Sequence, residues 1–418
     1  MVSYLKLGRR RSRQKTKYDK DRLFRIGALA LLFFSGGGLD VSSLTNFSGS
    51  TSLVFLCLIL LYLSKRIEIK EYELKAPLLA LSMLFIAYLF KGASFPIWCI
   101  GPIFSGYLTL TIYKRCPEKF VSDLGTLCKW YAYYSLLAFF IMLFLQNGIR
   151  PSGFYRYHHF YYLFWYVGTG GPNFVNGLRL TGLGAEPGIW QMFLNFNLLY
   201  ALYEKRNSKG IILAILAVIV TFSTTAYFNL LFIVFYYFSI IEKRIKTQHI
   251  IILALIGFIA FGIVYENIYE KLNGSSGLTR ISDIYIGGMF LEKNPLWGID
   301  PSITDNSMNS EFLKIKYEIW GDRNGGYIDP GYLISGLCSG IMWFILDHGI
   351  IFSSYLLYKY FHFPLIRDKR FCFGILIIIL LTFMTEPYSR SGFFYFFLLG
   401  AFIKFRWRPT GLLYSSNK

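Results

Sequence analysis

The stretch of this 418-residue chain best equipped for chemistry is Arg179-Leu-Thr-Gly182-Leu-Gly184-Ala-Glu186-Pro187-Gly188. Pro187 suits the first turn of a helix, where its missing N–H would lack a partner anyway, and Glu186 beside it faces the positive end of the helix dipole. Helix capping accounts for that Glu-Pro pair but leaves the arginine and the glycines unexplained. A helix N-terminus approached through a glycine loop and an arginine is also what a phosphate-bearing anion requires, since it offers free N–H groups and a forked cation. The two roles are compatible.

Other groups are scattered more thinly. Leu278-Thr-Arg280-Ile-Ser-Asp283 precedes Phe290-Leu-Glu-Lys-Asn294-Pro295-Leu-Trp297-Gly298-Ile299; an isolated loop arginine is ordinarily only solvated, so Arg280 draws its interest from this context. Asp347 and His348 sit inside an apolar block, where an ionisable pair marks a functional site by default. The stretch Thr385-Glu386-Pro387-Tyr-Ser-Arg390 repeats the Glu-Pro and arginine theme and reads either as a turn closing a helical hairpin or as a further anion contact through Arg390. No credible metal ligand set or cofactor motif is present. Asp19-Lys20-Asp21 belongs to a solvated charge run, no H-E-x-x-H occurs, and His158 and His159 are adjacent rather than on one helix face. The cysteines (Cys57, Cys99, Cys116, Cys128, Cys338, Cys372) have neither disulfide-framework nor zinc-site spacing.

The elements that must position these groups are membrane helices. With 54% hydrophobic and 19% aromatic residues and a mean hydropathy of +0.44, the chain is more apolar than a soluble domain needs in order to fill its core. The apolar residues fall in blocks of roughly 15 to 22, which predict spans over 23–40, 48–64, 74–90, 93–113, 124–146, 188–203, 210–223, 225–241, 249–265, 340–358, 371–385 and 391–405. The net charge of +19 is not the mark of a nucleic-acid binder, because the basic residues gather at alternate ends of these blocks. Loops holding Lys65, Lys70, Lys114, Lys119, Lys205, Lys209, Lys243, Arg367 and Arg370 are predicted inside, whereas the short outside loops hold only Lys91 and Arg390. The expectation is an all-α polytopic bundle of about 12 spans with both termini cytoplasmic: a basic tail over 1–25, one transmembrane domain over 26–405 and a second tail over 406–418. The N-terminal basic run, with no cleavage site after it, reads as a cytoplasmic anchor touching anionic lipid. Two long connections, 147–187 and 266–339, fall outside, where they could fold together over the mouth of the bundle. Tyr155 to Tyr166 is too aromatic for a free loop and is predicted to be an interfacial helix, with a stacking surface for sugar rings as the alternative.

At this point the residues resemble a family, the bacterial surface-polysaccharide polymerases typified by O-antigen polymerase and related to the O-antigen ligases. The pattern R-x-x-G-x-x-x-E-P stands here as Arg179, Gly182, Glu186 and Pro187. Arg280, followed by Phe290, Asn294, Pro295, Leu296, Gly298 and Ile299, resembles the family's second-loop arginine and, with one residue more between Phe290 and Asn294, its F-x-x-N-P-L-x-G-I segment, and Asp347-His348-Gly349 looks like its acidic-x-Gly element. The resemblance implies a GT-C-like inner-membrane glycosyltransferase with two long periplasmic loops, acting on sugar repeat units carried by undecaprenyl pyrophosphate. It implies as partners those lipid-linked glycans, the surrounding membrane lipids and a chain-length regulator protein. Arg179 and Arg280 would neutralise the pyrophosphate without a metal, and Glu186 would orient them or activate the acceptor hydroxyl. A carboxylate at a helix N-terminus beside an arginine is a poor base, so Asp283, Asp329 and His348 are rivals for that role, and Arg390 is a further anion contact. Ligases usually carry a histidine in the second long loop, and 266–339 has none, which favours polymerase over ligase. A flippase or secondary transporter is the alternative from another class; its charges and broken helices would lie near the midplane.

Overall fold

The fold is seen in a computed structural model, which describes residues 20–34, 50–64, 74–93, 95, 97–114, 116–145, 153–155, 158–161, 164–168, 178–180, 182, 187–205, 208–241, 275–299, 318, 339–386, 391–405 and 407. In chain order the helices are α1 (Lys20–Phe34), α2 (Ser50–Ser64), α3 (Lys75–Lys91), α4 (Ile100–Lys114), α5 (Phe120–Leu145), α6 (Pro187–Tyr203), α7 (Ser208–Ile219), α8 (Thr224–Tyr236), α9 (Ser275–Lys293), α10 (Gly340–Tyr360), α11 (Lys369–Thr385) and α12 (Gly392–Gly400). Every predicted span except 249–265, which lies outside the described residues, coincides with one of these helices. Local chemistry sets several boundaries. Gly92, in the left-handed region, closes α3; the side chains of Asp368, Ser339 and Ser391 accept hydrogen bonds from the first turns of α11, α10 and α12.

The bundle is layered by burial. Every residue of α6 from Pro187 to Leu202 is buried, as are all of α12 and α4 from Ser105 to Tyr113. The surrounding helices present apolar side chains outward, among them Leu63, Phe85, Leu89, Phe90, Leu137, Phe140, Phe144, Phe228 and Phe235. A soluble fold hides such groups, but hydrocarbon welcomes them. Three stretches, Pro117–Phe144, Thr224–Ile241 and Gly340–Tyr360, are long and apolar enough to cross a bilayer. This is a helical membrane protein.

Two expectations need correction. The aromatic stretch Tyr155 to Tyr166 is not an interfacial helix: β1 (Gly153–Tyr155), β2 (His158–Tyr161), β3 (Phe164–Gly168) and β4 (Leu178–Leu180) form an antiparallel sheet in that order. Aromatic residues suit a pleated surface at least as well as a helix, so residue type alone did not decide between them. The all-α class therefore holds for the bundle and not for the 147–187 connection. Likewise α9 makes a helix of part of the predicted second loop, with Ile286 and Phe290 buried against Leu346 and Ile299.

Short connections make neighbouring helices antiparallel, so the bundle has two ends. At one, hereafter the basic end, lie Arg22, Arg25, Lys114, Lys119, Lys205, Lys209, Lys369 and Arg370. Two residues of the basic N-terminal run have structural work there. Arg25 Nε donates to Asp123 Oδ2 at 2.6 Å, Arg22 Nε lies 3.6 Å from Asp123 Oδ1, and Tyr113 OH donates to the same carboxylate at 3.3 Å. That cluster, buried at Arg25 and Asp123 with Arg22 exposed at its edge, joins α1, α4 and α5.

Candidate functional site

The chemistry-bearing segments gather at the opposite, distal end. There β4, which carries Arg179, pairs with β3 (Val167 opposite Arg179) and is tied to the bundle by Leu180 N–H donating to the Val220 carbonyl at 3.4 Å. Gly182, with φ of 61°, passes so close to Trp190 that a Cβ would stand 1.9 Å from its ring. Trp190 in turn is anchored through its indole N–H to Ser135 Oγ at 2.8 Å. The R-x-x-G segment is thus clamped over the first turn of α6, and Pro187 opens that helix as its fixed φ favours.

A carboxylate does lie against this helix start, and it belongs to Glu386. A Cβ on Gly188 would stand 1.8 Å from Glu386 Oε1, so only glycine admits this buried acid to the first turn of α6, where the helix dipole favours negative charge. Below it runs a polar seam between α6, α8 and α11. Gln191 Oε1 accepts from Asn195 Nδ2 at 2.7 Å and Asn229 Nδ2 at 3.1 Å, while its Nε2 donates to the Gly188 carbonyl at 2.8 Å and to Thr382 Oγ1 at 3.1 Å. The orientation of the Gln191 amide is forced, because the Gly188 carbonyl can only accept. Both asparagine oxygens then point away from the hub, and among the described residues neither meets a donor. Thr225 and Thr385, 3.1 Å apart, close the seam on the Glu386 side.

The second assembly at this end joins two of the sequence motifs. Inside α10, Gly349 has φ of 72° and ψ of 167°, which breaks the helix and frees carbonyls that would otherwise be bonded. The Asn294–Ile299 segment docks into the break: Ile299 N–H donates to the Leu346 carbonyl at 3.1 Å, and Ile350 N–H donates to the Pro295 carbonyl at 3.0 Å. Backbone meets backbone so closely that a Cβ on Gly298 would fall 2.0 Å from Leu346 O, and one on Gly349 2.1 Å from Leu296 O. Lys91, at the end of α3, donates from Nζ to the same Leu346 carbonyl at 3.0 Å and to the Asp347 carbonyl. Tyr88 OH reaches Asp347 Oδ1 at 3.4 Å, and Phe90 stacks on Trp297 at 4.3 Å.

His348, buried at the break, approaches the Phe344 carbonyl through Nδ1 at 2.9 Å. A carbonyl only accepts, so Nδ1 carries a hydrogen, and in the neutral imidazole Nε2 is then the basic atom. Among the remaining candidates, Arg280 and Asp283 lie on α9 rather than in a loop, with side chains outside the described residues. Gly287 packs against Met342 near the start of α10, so Arg280 lies about 10 Å further along its helix axis, on the distal side. Glu186, Asp329 and Arg390 fall outside the described residues, as does the Arg179 side chain. Sequence reasoning passed over Gln191, Asn195 and Asn229, took Lys91 only as a topology charge and gave Glu386 no role of its own. The signal available was polar residues within apolar blocks and the second Glu-Pro. Among the described residues, no three His, Cys, Asp or Glu side chains are grouped so as to hold a metal ion.

Fold and site together define a polytopic helical membrane protein with a polar assembly at one end of its bundle. Comparison with protein families, curated proteins and solved structures finds no match.

Proposed function

We propose that this chain is a metal-independent membrane glycosyltransferase that polymerises undecaprenyl-pyrophosphate-linked repeat units into a surface polysaccharide such as O-antigen. It spans a bacterial inner membrane about 12 times, with the basic end cytoplasmic and the distal end periplasmic. The observation that carries the reading is the interlock of Asn294–Ile299 with Asp347–Gly349, two segments more than 45 residues apart that the resemblance picked out independently. Joined through two backbone hydrogen bonds, to the Leu346 carbonyl and from the Ile350 N–H, and through Gly298 and Gly349, they behave as one device, which supports the reading.

In this reading the anomeric C–O bond to pyrophosphate breaks while the acceptor hydroxyl oxygen bonds to that carbon. Arg179 and Arg280 take up the charge developing on the pyrophosphate. His348 Nε2 becomes the preferred candidate for the acceptor proton, because its tautomer is fixed and its neighbour Asp347 is anchored through Tyr88. Glu186 and Glu386 serve as electrostatic partners of the arginines and of the α6 terminus. One observation favours a second reading, transport: α10 is broken beside a buried acid and histidine, as in carriers with discontinuous helices. The glycan profile of a deletion strain separates the readings. Loss of the polymerase leaves surface lipid bearing single repeat units; a lost ligase leaves long chains on the carrier, and a lost flippase traps single units on the cytoplasmic leaflet. Either of the latter two products overturns the polymerase assignment.

A further inference from the structure

A cleft of about 410 Å³ opens between α5, α6 and α7 in the basic half of the bundle, lined by Lys129, Tyr133, Asn197, Gly210, Leu213 and Ala214. Its volume lies within the roughly 300–1,000 Å³ typical of small-molecule sites. Lys129 is nine residues into α5, about 14 Å along the helix from its start at the basic end. A lysine so placed ordinarily snorkels back to the interface. Here the ammonium stays by the cleft, 5.3 Å from the centre of the Tyr133 ring, one helical turn deeper.

The flanks of the cleft are made for hydrocarbon. On α5, Trp130, Tyr133, Leu137, Phe140 and Phe144 are exposed along one stripe, and on α7 Ile212, Leu213 and Leu216 are exposed. At the rim, Lys205 and Lys209 are exposed beside Gly210. A cation set among apolar flanks, with more cations at the rim, is complementary to an amphiphile with an anionic head and acyl chains. From this juxtaposition we infer that the cleft is a binding site for an anionic phospholipid of the leaflet at the basic end. The phosphodiester lies on Lys129, the head-group hydroxyls reach toward Asn197 and the rim lysines, and the acyl chains run along the α5 and α7 stripes. The site is separate from the distal assembly and does not depend on the function assigned to it.

The test uses the full chain purified in detergent and titrated with phosphatidylglycerol or phosphatidylcholine of matched chains, the bound lipid being counted by native mass spectrometry. Phosphatidylglycerol should be retained preferentially. Lys129→Ala should weaken its retention about fivefold, the worth of one basic residue toward an anionic lipid, while Lys129→Arg should preserve it. Equal retention of the two lipids, or unchanged retention in Lys129→Ala, overturns the proposal. So does displacement of the bound lipid by millimolar inorganic phosphate, which would make this a site for soluble anions. Should Lys129→Ala not fold, photoactivatable phosphatidylglycerol on the unaltered protein decides: adducts within 129–133 and 210–214 support the site, and adducts only elsewhere reject it.

Discussion

Gln191 joins Asn195, Asn229, Thr382 and the Gly188 carbonyl through one carboxamide. Replacing it by leucine removes the acceptor that both asparagines share: Asn195 Nδ2 keeps the Gln191 and Ala226 carbonyls, but Asn229 Nδ2 keeps only Thr382 Oγ1, and a buried polar group left unpaired costs about 1–3 kcal/mol. Gln191→Leu should therefore lower the thermal midpoint of the solubilised protein by several degrees; an unchanged midpoint would mean that water serves the seam equally well. The arginines are a different matter, because their proposed task lies in the transition state. Arg179→Ala and Arg280→Ala should each cost on the order of 10²–10³ in rate, so that long chains disappear while the level of membrane-inserted protein holds. Arg179→Lys keeps the charge and loses the planar fork, so it should remain strongly impaired; near-normal chain length there would reduce Arg179 to a generic cation. Chain growth in isolated membranes should also survive EDTA, since in the proposed reaction the leaving-group charge rests on arginine.

At the scale of elements, two joints hold the bundle in register. The break in α10 receives the segment after α9, with Gly298 and Gly349 backbone to backbone and both at positive φ. A methyl at either position meets a carbonyl as well as a strained φ, so Gly349→Ala and Gly298→Ala should each destabilise by at least about 2 kcal/mol. Loss of inserted protein or a lowered midpoint would register it, and a wild-type midpoint would show that the segment docks elsewhere. Gly92→Ala, open to solvent, provides the contrast, having a strained φ but no neighbour within 4 Å. The second joint is the ion pair of α1 with α5. Removing one partner of a buried pair costs about 3–5 kcal/mol because the other charge is left behind. Asp123→Ala should thus be more damaging than the double change Arg25→Met with Asp123→Ala, as measured by thermal unfolding of the two proteins side by side.

For the whole molecule the decisive property is sidedness. In the proposed topology, and in a chain whose native cysteines are replaced, a single cysteine at position 170 or 310 should react with an impermeant thiol reagent from the periplasm. One at position 205 should react only after the inner membrane is opened. Labelling at 170 or 310 that also requires opening would put the proposed site on the wrong side. In the unaltered chain Cys116, half-buried at the basic end, is a further thiol. Burial above all pushes its pKa up, and the carboxylates of Glu118 and Asp123 add to this against Arg25 and Lys119. Because the thiolate is the reactive form, Cys116 should label slowly at neutral pH and faster as pH rises.

The sequence by itself determined the bundle, because hydrocarbon imposes a length and water imposes charge at the ends of each span, and both leave a one-dimensional record in residues such as Lys114, Lys205 and Arg370. It also marked Pro187 as a helix start and singled out the 290–299 and 347–349 segments. What it could not fix was which distant groups meet. The acid against the start of α6 is Glu386, two hundred residues downstream of Glu186, and its approach depends on the absence of a side chain at Gly188. Lys91 looked like a topology charge until the break in α10 supplied carbonyls for it. The aromatic connection became a sheet through cross-strand pairing, which no local propensity encodes. Local pattern reports how each segment meets solvent or lipid; partners are chosen by packing between segments, and only the tertiary structure contains that choice.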